Sequence, residues 1–383
     1  MKQELIDRVK NLYQEKFGND FILIDSPGRI NLIGEHTDYN EGFVFPAAID
    51  KGIVSAIGKN NSGKCHLFSA DFGIPFEFSP KEVKPLPNGE WRNYVLGVVG
   101  ELEKKGIQVP AFNFVFAGDI PQGAGLSSSA ALENSVVFGL NELFNLGLSK
   151  RDMIFISQKA EHNYVGVRCG IMDQYASMFG EEDKAVLLDC RTLESKLFPL
   201  EFENHQLVLI NTNVSHKLVE AEYNDRRDVC EKVASLLKVG FLRDASEASL
   251  MTIKNLLTEE EYQKALYIIQ ENERVLMAGK ALNDGNIEEF GKLLFKAHLG
   301  AQHQFKISCV ELDYLVEEAR QNPNIIGSRM MGGGFGGCTI NIVKKESVKQ
   351  FTEDIAKAYK NKFDRNCSIY FVKISQGTHL IKN

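Results

Sequence analysis

The sequence predicts an α+β protein of two lobes. Strand-like and helix-like segments are mixed without strict βαβ alternation. The chain turns from β-rich to helix-rich near residues 190–215, which predicts lobes over 1–200 and 201–383. Its 383 residues, 44% of them hydrophobic, suffice for about two to three domains around a large core. No flexible linker, internal repeat or low-complexity tract interrupts it.

The elements follow in order. MKQELIDRVKNLYQEKF reads as an amphipathic helix, and FILIDSP (21–27) as a strand ending at Pro27. GFVFPAAI and 52–70 read as strands joined by an Asn/Ser/Gly turn. EWRNYVLGVVGELEKKG (90–106) has helical period and stops at Gly106. FNFVF (112–116) is a strand, and ALENSVVFGLNELFNL (131–146) a helix. Ser149 with Asp152 resembles a capping box for RDMIFISQKAEHNYV, as Thr258 with Glu261 does for a helical segment over 258–303. KAVLLDC (184–190) and HQLVLINTNV (205–214) read as strands. Residues 216–238 form a charged amphipathic helix, on which Lys217 and Arg226 read as solvated charges. ELDYLVEEARQ (311–321) is helical, CTINIVKK a strand, 346–362 a helix and CSIYFVKIS the last strand.

Composition narrows the function. With 44 basic and 51 acidic residues the formal charge is −7, which argues against a nucleic-acid footprint. Seven scattered cysteines without a C-x-x-C pair suit reduced thiols in the cytoplasm. The first helix is not a signal peptide, and no apolar run approaches membrane-spanning length.

The chemistry concentrates in a few segments. PQGAGLSSSAA (121–131) lies between strand 112–116 and helix 131–146. A strand, a Gly-rich turn and a helix N-terminus make an anion site, because the first helical turn has unpaired N–H groups and a positive dipole end. Gly123 and Gly125 admit close approach of a phosphate, and Ser127, Ser128 and Ser129 add hydroxyls. No lysine is present, so this is not a Walker A loop, and Mg²⁺ on a serine oxygen is the simplest neutralising charge. The bland alternative is a serine N-cap on an ordinary helix.

Two other glycine runs are decoys for nucleotide motifs. GKNNSGKC (58–65) ends in Cys65 rather than a hydroxyl residue and lies between strands, so it reads as a hairpin turn. GGGFGG (332–337) satisfies G-x-G-x-x-G, but a helix precedes and a strand follows, the reverse of a dinucleotide fingerprint. Its glycines imply either a flexible turn or backbone pressed against a ligand or another loop.

GRINLIGEHTDYN (28–40) gathers Arg29, Glu35, His36 and Asp38, which suit a polar ligand. A solvated turn with a capping Asp, or a metal cluster with His162, competes with that reading. Glu161 ends a helix, and Asp173 sits among Ile171, Met172 and Tyr175. A carboxylate there is costly to bury unpaired, and Arg29 is a plausible counter-charge. The alternative is a structural Asp capping a turn.

Together these motifs resemble the GHMP small-molecule kinases and, within them, the galactokinase family. GRINLIGEHTDYNEGFVFPAAI is similar to the galactokinase signature, PQGAGLSSSAAL to the superfamily phosphate loop, CGIMDQ to the catalytic segment and MGGGFGGCTIN to the third motif. They occur in family order and span residues 28 to 341. The resemblance implies a two-lobed GHMP kinase fold, with a mixed sheet in the N-terminal lobe, an α/β sandwich in the C-terminal lobe and the active site between them. It implies ATP-dependent phosphorylation of the C1 hydroxyl of α-D-galactose. Asp173 would take or orient the hydroxyl proton, with Arg29 beside it. Glu35, His36, Asp38, Gly170 and Tyr223 would line the sugar site. Gly123, Ala124, Gly125, Leu126, Ser127, Ser128 and Ser129 would wrap the ATP phosphates. Trp91 would lie against adenine, although its residue type also suits a core anchor. Ser129 and Glu161 would hold Mg²⁺. A cytoplasmic monomer acting on galactose and ATP, without nucleic-acid or membrane partners, is expected. A non-catalytic galactose- and ATP-binding regulator, or a kinase for a related sugar such as N-acetylgalactosamine, is the alternative.

Overall fold

The computed structural model describes residues 2–200, 202, 204–214 and 219–382. The first half runs α1 (Lys2–Phe17), β1 (Ile22–Asn31), β2 (Phe43–Val44), β3 (Pro46–Lys59), β4 (Cys65–Ser69), β5 (Ile74–Phe78), α2 (Trp91–Lys104) and β6 (Phe112–Gly118). It continues with α3 (Ser128–Phe144), α4 (Lys150–Ala160), α5 (Met172–Phe179), β7 (Lys184–Asp189) and β8 (Ser195–Pro199). The second half holds β9 (His205–Asn211), α6 (Val219–Leu237), α7 (Glu247–Thr252), α8 (Glu259–Asn283), α9 (Ile287–Gly300) and α10 (Val310–Gln321). It closes with β10 (Ile325–Met330), β11 (Cys338–Lys344), α11 (Val348–Phe363), β12 (Ser368–Phe371) and β13 (His379–Leu380).

The N-terminal lobe is built on a mixed sheet ordered β13-β1-β3-β6-β4-β5. Successive side chains of a strand face opposite sides, so each strand feeds two cores. Leu23, Val54, Ala56, Val115 and Ala117 meet Val9 and Tyr13 of α1. Ile24, Ile53, Ile57, Phe114 and Phe116 meet the helices α2–α5. In the C-terminal lobe the sheet β10-β11-β9-β12 is covered on one face by α10 and α11 through Val208, Ile210, Leu315 and Phe351. Its other face, through Leu209, Ile340 and Ile342, joins a core that includes Ile30, Phe45 and Ile49 of the first lobe. The lobes therefore share one core. The chain end also returns, as β13 pairs with β1 through Ile24 and Asp25.

Both expected capping boxes are present, at Ser149/Asp152 and Thr258/Glu261. Several details differ from the sequence reading. Segment 60–64 is not a hairpin turn, because β6 lies between β3 and β4, antiparallel to one and parallel to the other. The segment 258–303 is two helices, broken at Asp284–Asn286, where Gly285 takes φ +68° and Asn286 caps α9. A strand, β10, rather than a helix precedes the glycine run, so the run joins the antiparallel pair β10–β11. Residues 161–165 close α4 with a π-helical turn. Lys217 lies outside the described residues. Arg226 is buried rather than solvated, and its guanidinium donates to the carbonyls of Phe305 and Lys306, 3.0 Å each.

Candidate active site

The turn before α3 lies against β1, the Arg29 N–H donating to Leu126 O at 3.1 Å. Ser127 occupies the N-cap position of α3, yet its side chain caps nothing. Its backbone is left-handed, at φ 60° and ψ 53°. That conformation turns Oγ onto the Asp173 carboxylate instead. No serine cap therefore occupies the first turn of α3, and its dipole end faces the cleft.

Asp173 stands in the first turn of α5 and Arg29 on β1. Arg29 grips the carboxylate with Nε at 2.8 Å and Nη2 at 2.9 Å, and its Nη1 donates to Gly125 O at 2.5 Å. One guanidinium thus ties the phosphate loop to the acidic side chain. Burial acts to lower the Arg29 pKa, but Asp173 and Glu35 outweigh it, so the net shift is upward and the cation is permanent.

These groups line a cleft of about 320 Å³ together with Glu35, His36, Asp38, Gly123 to Ser129, Glu161, Gly170 and Tyr223. Gly332 and Gly333 close it from the second lobe. A Cβ on Gly332 would meet Gly125 O at 3.1 Å, so the third-motif glycines press against the phosphate loop itself.

Asp38 accepts from the N–H groups of Tyr39 (2.9 Å) and Met172 (3.3 Å). Burial, then the Asp173 charge, pushes it up to about 6. A Cβ on Gly170 would sit 2.0 Å from Asp38 Cγ, so only glycine lets segment 169–172 reach that carboxylate. Both His36 ring nitrogens are engaged within the protein: Nδ1 meets the Tyr39 hydroxyl at 2.8 Å and Nε2 meets Gly333 O at 3.2 Å. A carbonyl only accepts, so Nε2 carries the proton and Nδ1 accepts from Tyr39. Burial, aided by Arg226, pushes His36 down to about 3, so the ring is neutral. Its ring lines the cleft, with its centroid 4.7 Å from that of Tyr223.

Carboxylates crowd the α3 side of the cleft. Gln174 Nε2 bridges Glu161 (3.0 Å) and Glu133 (3.3 Å). Burial and then Asp173 raise Glu161 to about 7, and burial and then Glu161 raise Glu133 well above the carboxylate range. Among the described residues Glu133 Oε1 has no hydrogen-bond partner. Sequence reasoning missed Glu133 and Gln174, although an acid within the apolar run 130–140 and the residue after Asp173 were visible signals. His162 bonds to Cys169 O at 2.7 Å, and no group of three or more His, Cys, Asp or Glu side chains is disposed around a metal among the described residues.

Trp91 opens α2 against Phe116, its ring centroid at 5.2 Å, and is a core anchor. It also lines a second cleft of about 470 Å³ with Tyr94, Ile120, Ser128 and Ser129, residues at the edge of the first. Among the described residues its indole N–H has no hydrogen-bond partner.

Comparisons with known proteins converge on one family. The galactokinase galactose-binding signature matches residues 11–59. The N-terminal and C-terminal GHMP kinase domains match residues 93–181 and 278–361. A galactokinase of Clostridium acetobutylicum is 37% identical, covering 98% of each chain. One of Fusobacterium nucleatum is 37% identical over 100% of each. The crystal structure of Lactococcus lactis galactokinase complexed with galactose superposes with a TM-score of 0.93 at 35% identity, covering 97% of this chain and 99% of that one. A mevalonate kinase structure shares the fold at a TM-score of 0.63 and 19% identity. With galactokinase relatives 37% identical over nearly the whole chain and the galactokinase galactose-binding signature at residues 11–59, this protein belongs to the galactokinase family of GHMP kinases.

Proposed function

We propose that the cleft transfers the γ-phosphoryl group of ATP to the C1 hydroxyl of α-D-galactose, giving galactose 1-phosphate and ADP. The contact of Ser127 Oγ with the Asp173 carboxylate carries this reading. It puts the nucleophile-handling group and the phosphate-binding turn in one place, as in-line transfer requires.

Asp173 receives the C1 hydroxyl. Gripped by Arg29 through two of its donors, it is fixed in place, and orienting the hydroxyl is a large part of its work. The proton leaves the hydroxyl towards Asp173 as the O–P bond forms. The first turn of α3 and the Gly/Ser loop stabilise charge on the transferring group. Asp38, Glu35 and Tyr223 read sugar hydroxyls, while Gly170 gives Asp38 its position. Trp91 and Tyr94 border the adenine site. Ser129 and Glu161 would hold Mg²⁺, which would supply positive charge to offset that of the ATP phosphates. The donor set suits that ion: Glu161 faces two other carboxylates with no cation of its own, and Mg²⁺ takes few protein ligands beside phosphate oxygens. Reduced cysteines and a single shared core support a cytoplasmic monomer.

An ADP-release assay over a panel of hexoses and amino sugars tests this. Release with galactose, abolished by EDTA and restored by Mg²⁺, is expected. Binding of both galactose and ATP without ADP release would identify a sensor instead of a kinase. Faster turnover of N-acetylgalactosamine would reassign the sugar.

A further inference from the structure

Arg329, on β10, has the largest side chain that is wholly shielded from solvent. An arginine in such a place is expensive unless its charge is used. Its Nη1 donates to the carbonyls of Asn31 and Leu32, 3.1 Å each, at the end of β1. Its Nη2 lies 3.1 Å from Glu35 Oε1, and that carboxylate is itself almost fully buried. Among the described residues neither Nε nor Nη2 makes a hydrogen bond, so Nη2 meets Glu35 as an ion pair and the donors exceed what the surrounding core uses. Glu35 Oε1 also accepts from Gly332 N at 2.9 Å. Among the described residues nothing donates to Oε2, and Glu35 lines the cleft.

The backbone beneath Glu35 is held from the same lobe. Glu271 of α8 accepts from Gly34 N at 3.0 Å and is fixed by Arg274 at 2.6 Å. Tyr267 donates to Glu35 O at 3.3 Å. The sugar-facing loop belongs to the first lobe, but its orientation is set by charged groups of the second.

Resting on the galactose-kinase reading, we propose that Arg329 is a positioning residue for sugar selection. It pins one oxygen of Glu35 so that the other is presented to a single hydroxyl of the sugar. It acts through Glu35 and touches neither substrate.

The test uses Arg329→Lys, which keeps the charge but lacks the planar fork, and Arg329→Gln. Each is measured with galactose and its 2-, 3-, 4- and 6-deoxy analogues, beside Glu35→Gln and the double variant Glu35→Gln/Arg329→Lys. Nucleotide affinity, titrated without sugar, reports that each protein is folded. The expected loss in kcat/KM for galactose is about 10- to 100-fold, mainly in KM, because a buried acceptor loses its alignment. ATP binding stays within about twofold of wild type. The loss shrinks towards unity for one deoxy sugar, the same one that masks Glu35→Gln. Arg329→Lys adds little once Glu35 is Gln. A loss spread evenly over all the analogues, or one that persists in full in the Glu35→Gln background, overturns the proposal. If Arg329→Lys and Arg329→Gln do not fold, the Glu35→Gln panel decides: losses spread over several hydroxyls overturn it. Wild-type protein inactive on galactose would sink the kinase reading instead, which keeps the two failures distinct.

Discussion

Replacing Asp173 by Asn removes one negative charge and sets an amide N–H₂ where an oxygen now receives donors. Three groups converge on that carboxylate: Arg29 Nε at 2.8 Å, Arg29 Nη2 at 2.9 Å and Ser127 Oγ. Breaking a fully buried pair by removing one partner costs about 3–5 kcal/mol. The Asp173 side chain is 27% exposed, so water recovers part of this and about 1–3 kcal/mol is expected. The variant therefore folds, and its galactose and ATP affinities should stay within a few-fold of wild type. Turnover should fall by about 10²–10⁴, the usual range for a lost general base. Asp173→Ala separates the two roles of the carboxylate. Asn retains an oxygen that can accept the C1 hydroxyl, whereas Ala does not. If orientation dominates, Asn keeps far more turnover than Ala; if proton removal dominates, the two are equally slow. A coupled ADP-release assay at saturating substrates reads both. Asp173→Asn turnover within tenfold of wild type would refute the assignment.

Gly170→Ala places a methyl carbon 2.0 Å from Asp38 Cγ, so the carboxylate must leave the Tyr39 and Met172 N–H groups. Galactose KM should rise roughly tenfold or more while ATP KM holds, and an unchanged galactose KM in steady-state assays would contradict the geometry. Asp38 ionises near pH 3.8 when unfolded and near 6 when folded, so folding takes up a proton between those values. Its stabilising contribution is complete below pH 3.8 and is lost as pH rises through 6, a difference of roughly 3 kcal/mol. Of the charges facing it, Asp173 and Glu35 favour the protonated form, and Arg29 favours the ionised one. Urea midpoints of the ligand-free protein from pH 4 to 7 should thus fall more steeply for wild type than for Asp38→Asn, and parallel curves would count against the shift.

The chemistry was more legible than the topology. A glycine-rich turn between an apolar strand and a helical period implies an anion site whichever strand neighbours which, because the helix terminus supplies the donors. The Arg29–Asp173 pair was also legible, since an acid among Ile171, Met172 and Tyr175 demands a counter-charge. The role of Ser127 was not. Serine at a helix start predicts a cap, and only the left-handed backbone there sends its hydroxyl to Asp173. Arg226 misled for a similar reason. Residue type places it on a charged helix face, but the turn of that face towards Phe305 is a tertiary fact. Strand β10 was hidden because Gly327, Ser328 and Arg329 break its apolar run, Ser328 being satisfied by Asn341 across the strand pair and Arg329 by the distant Asn31 carbonyl. Long-range pairing, such as β6 between β3 and β4, carries no local signature at all.

The distribution of charge explains why one lobe alone would not make this site. Asp38, Glu133, Glu161 and Asp173 lie near one another on first-lobe elements, and Arg29 is paired with only the last of them. All three of the others are pushed up towards neutrality, because burial and their mutual repulsion disfavour the charged forms. The second lobe contributes almost no charge to that wall and instead fixes positions, through Gly332 on Glu35, Gly333 on His36 and Arg329 behind both loops. Separation of charge-bearing and position-fixing parts accounts for the dense glycine run. A side chain at 332 would wedge the clamp away from the phosphate loop, and both halves of the site would lose their alignment together.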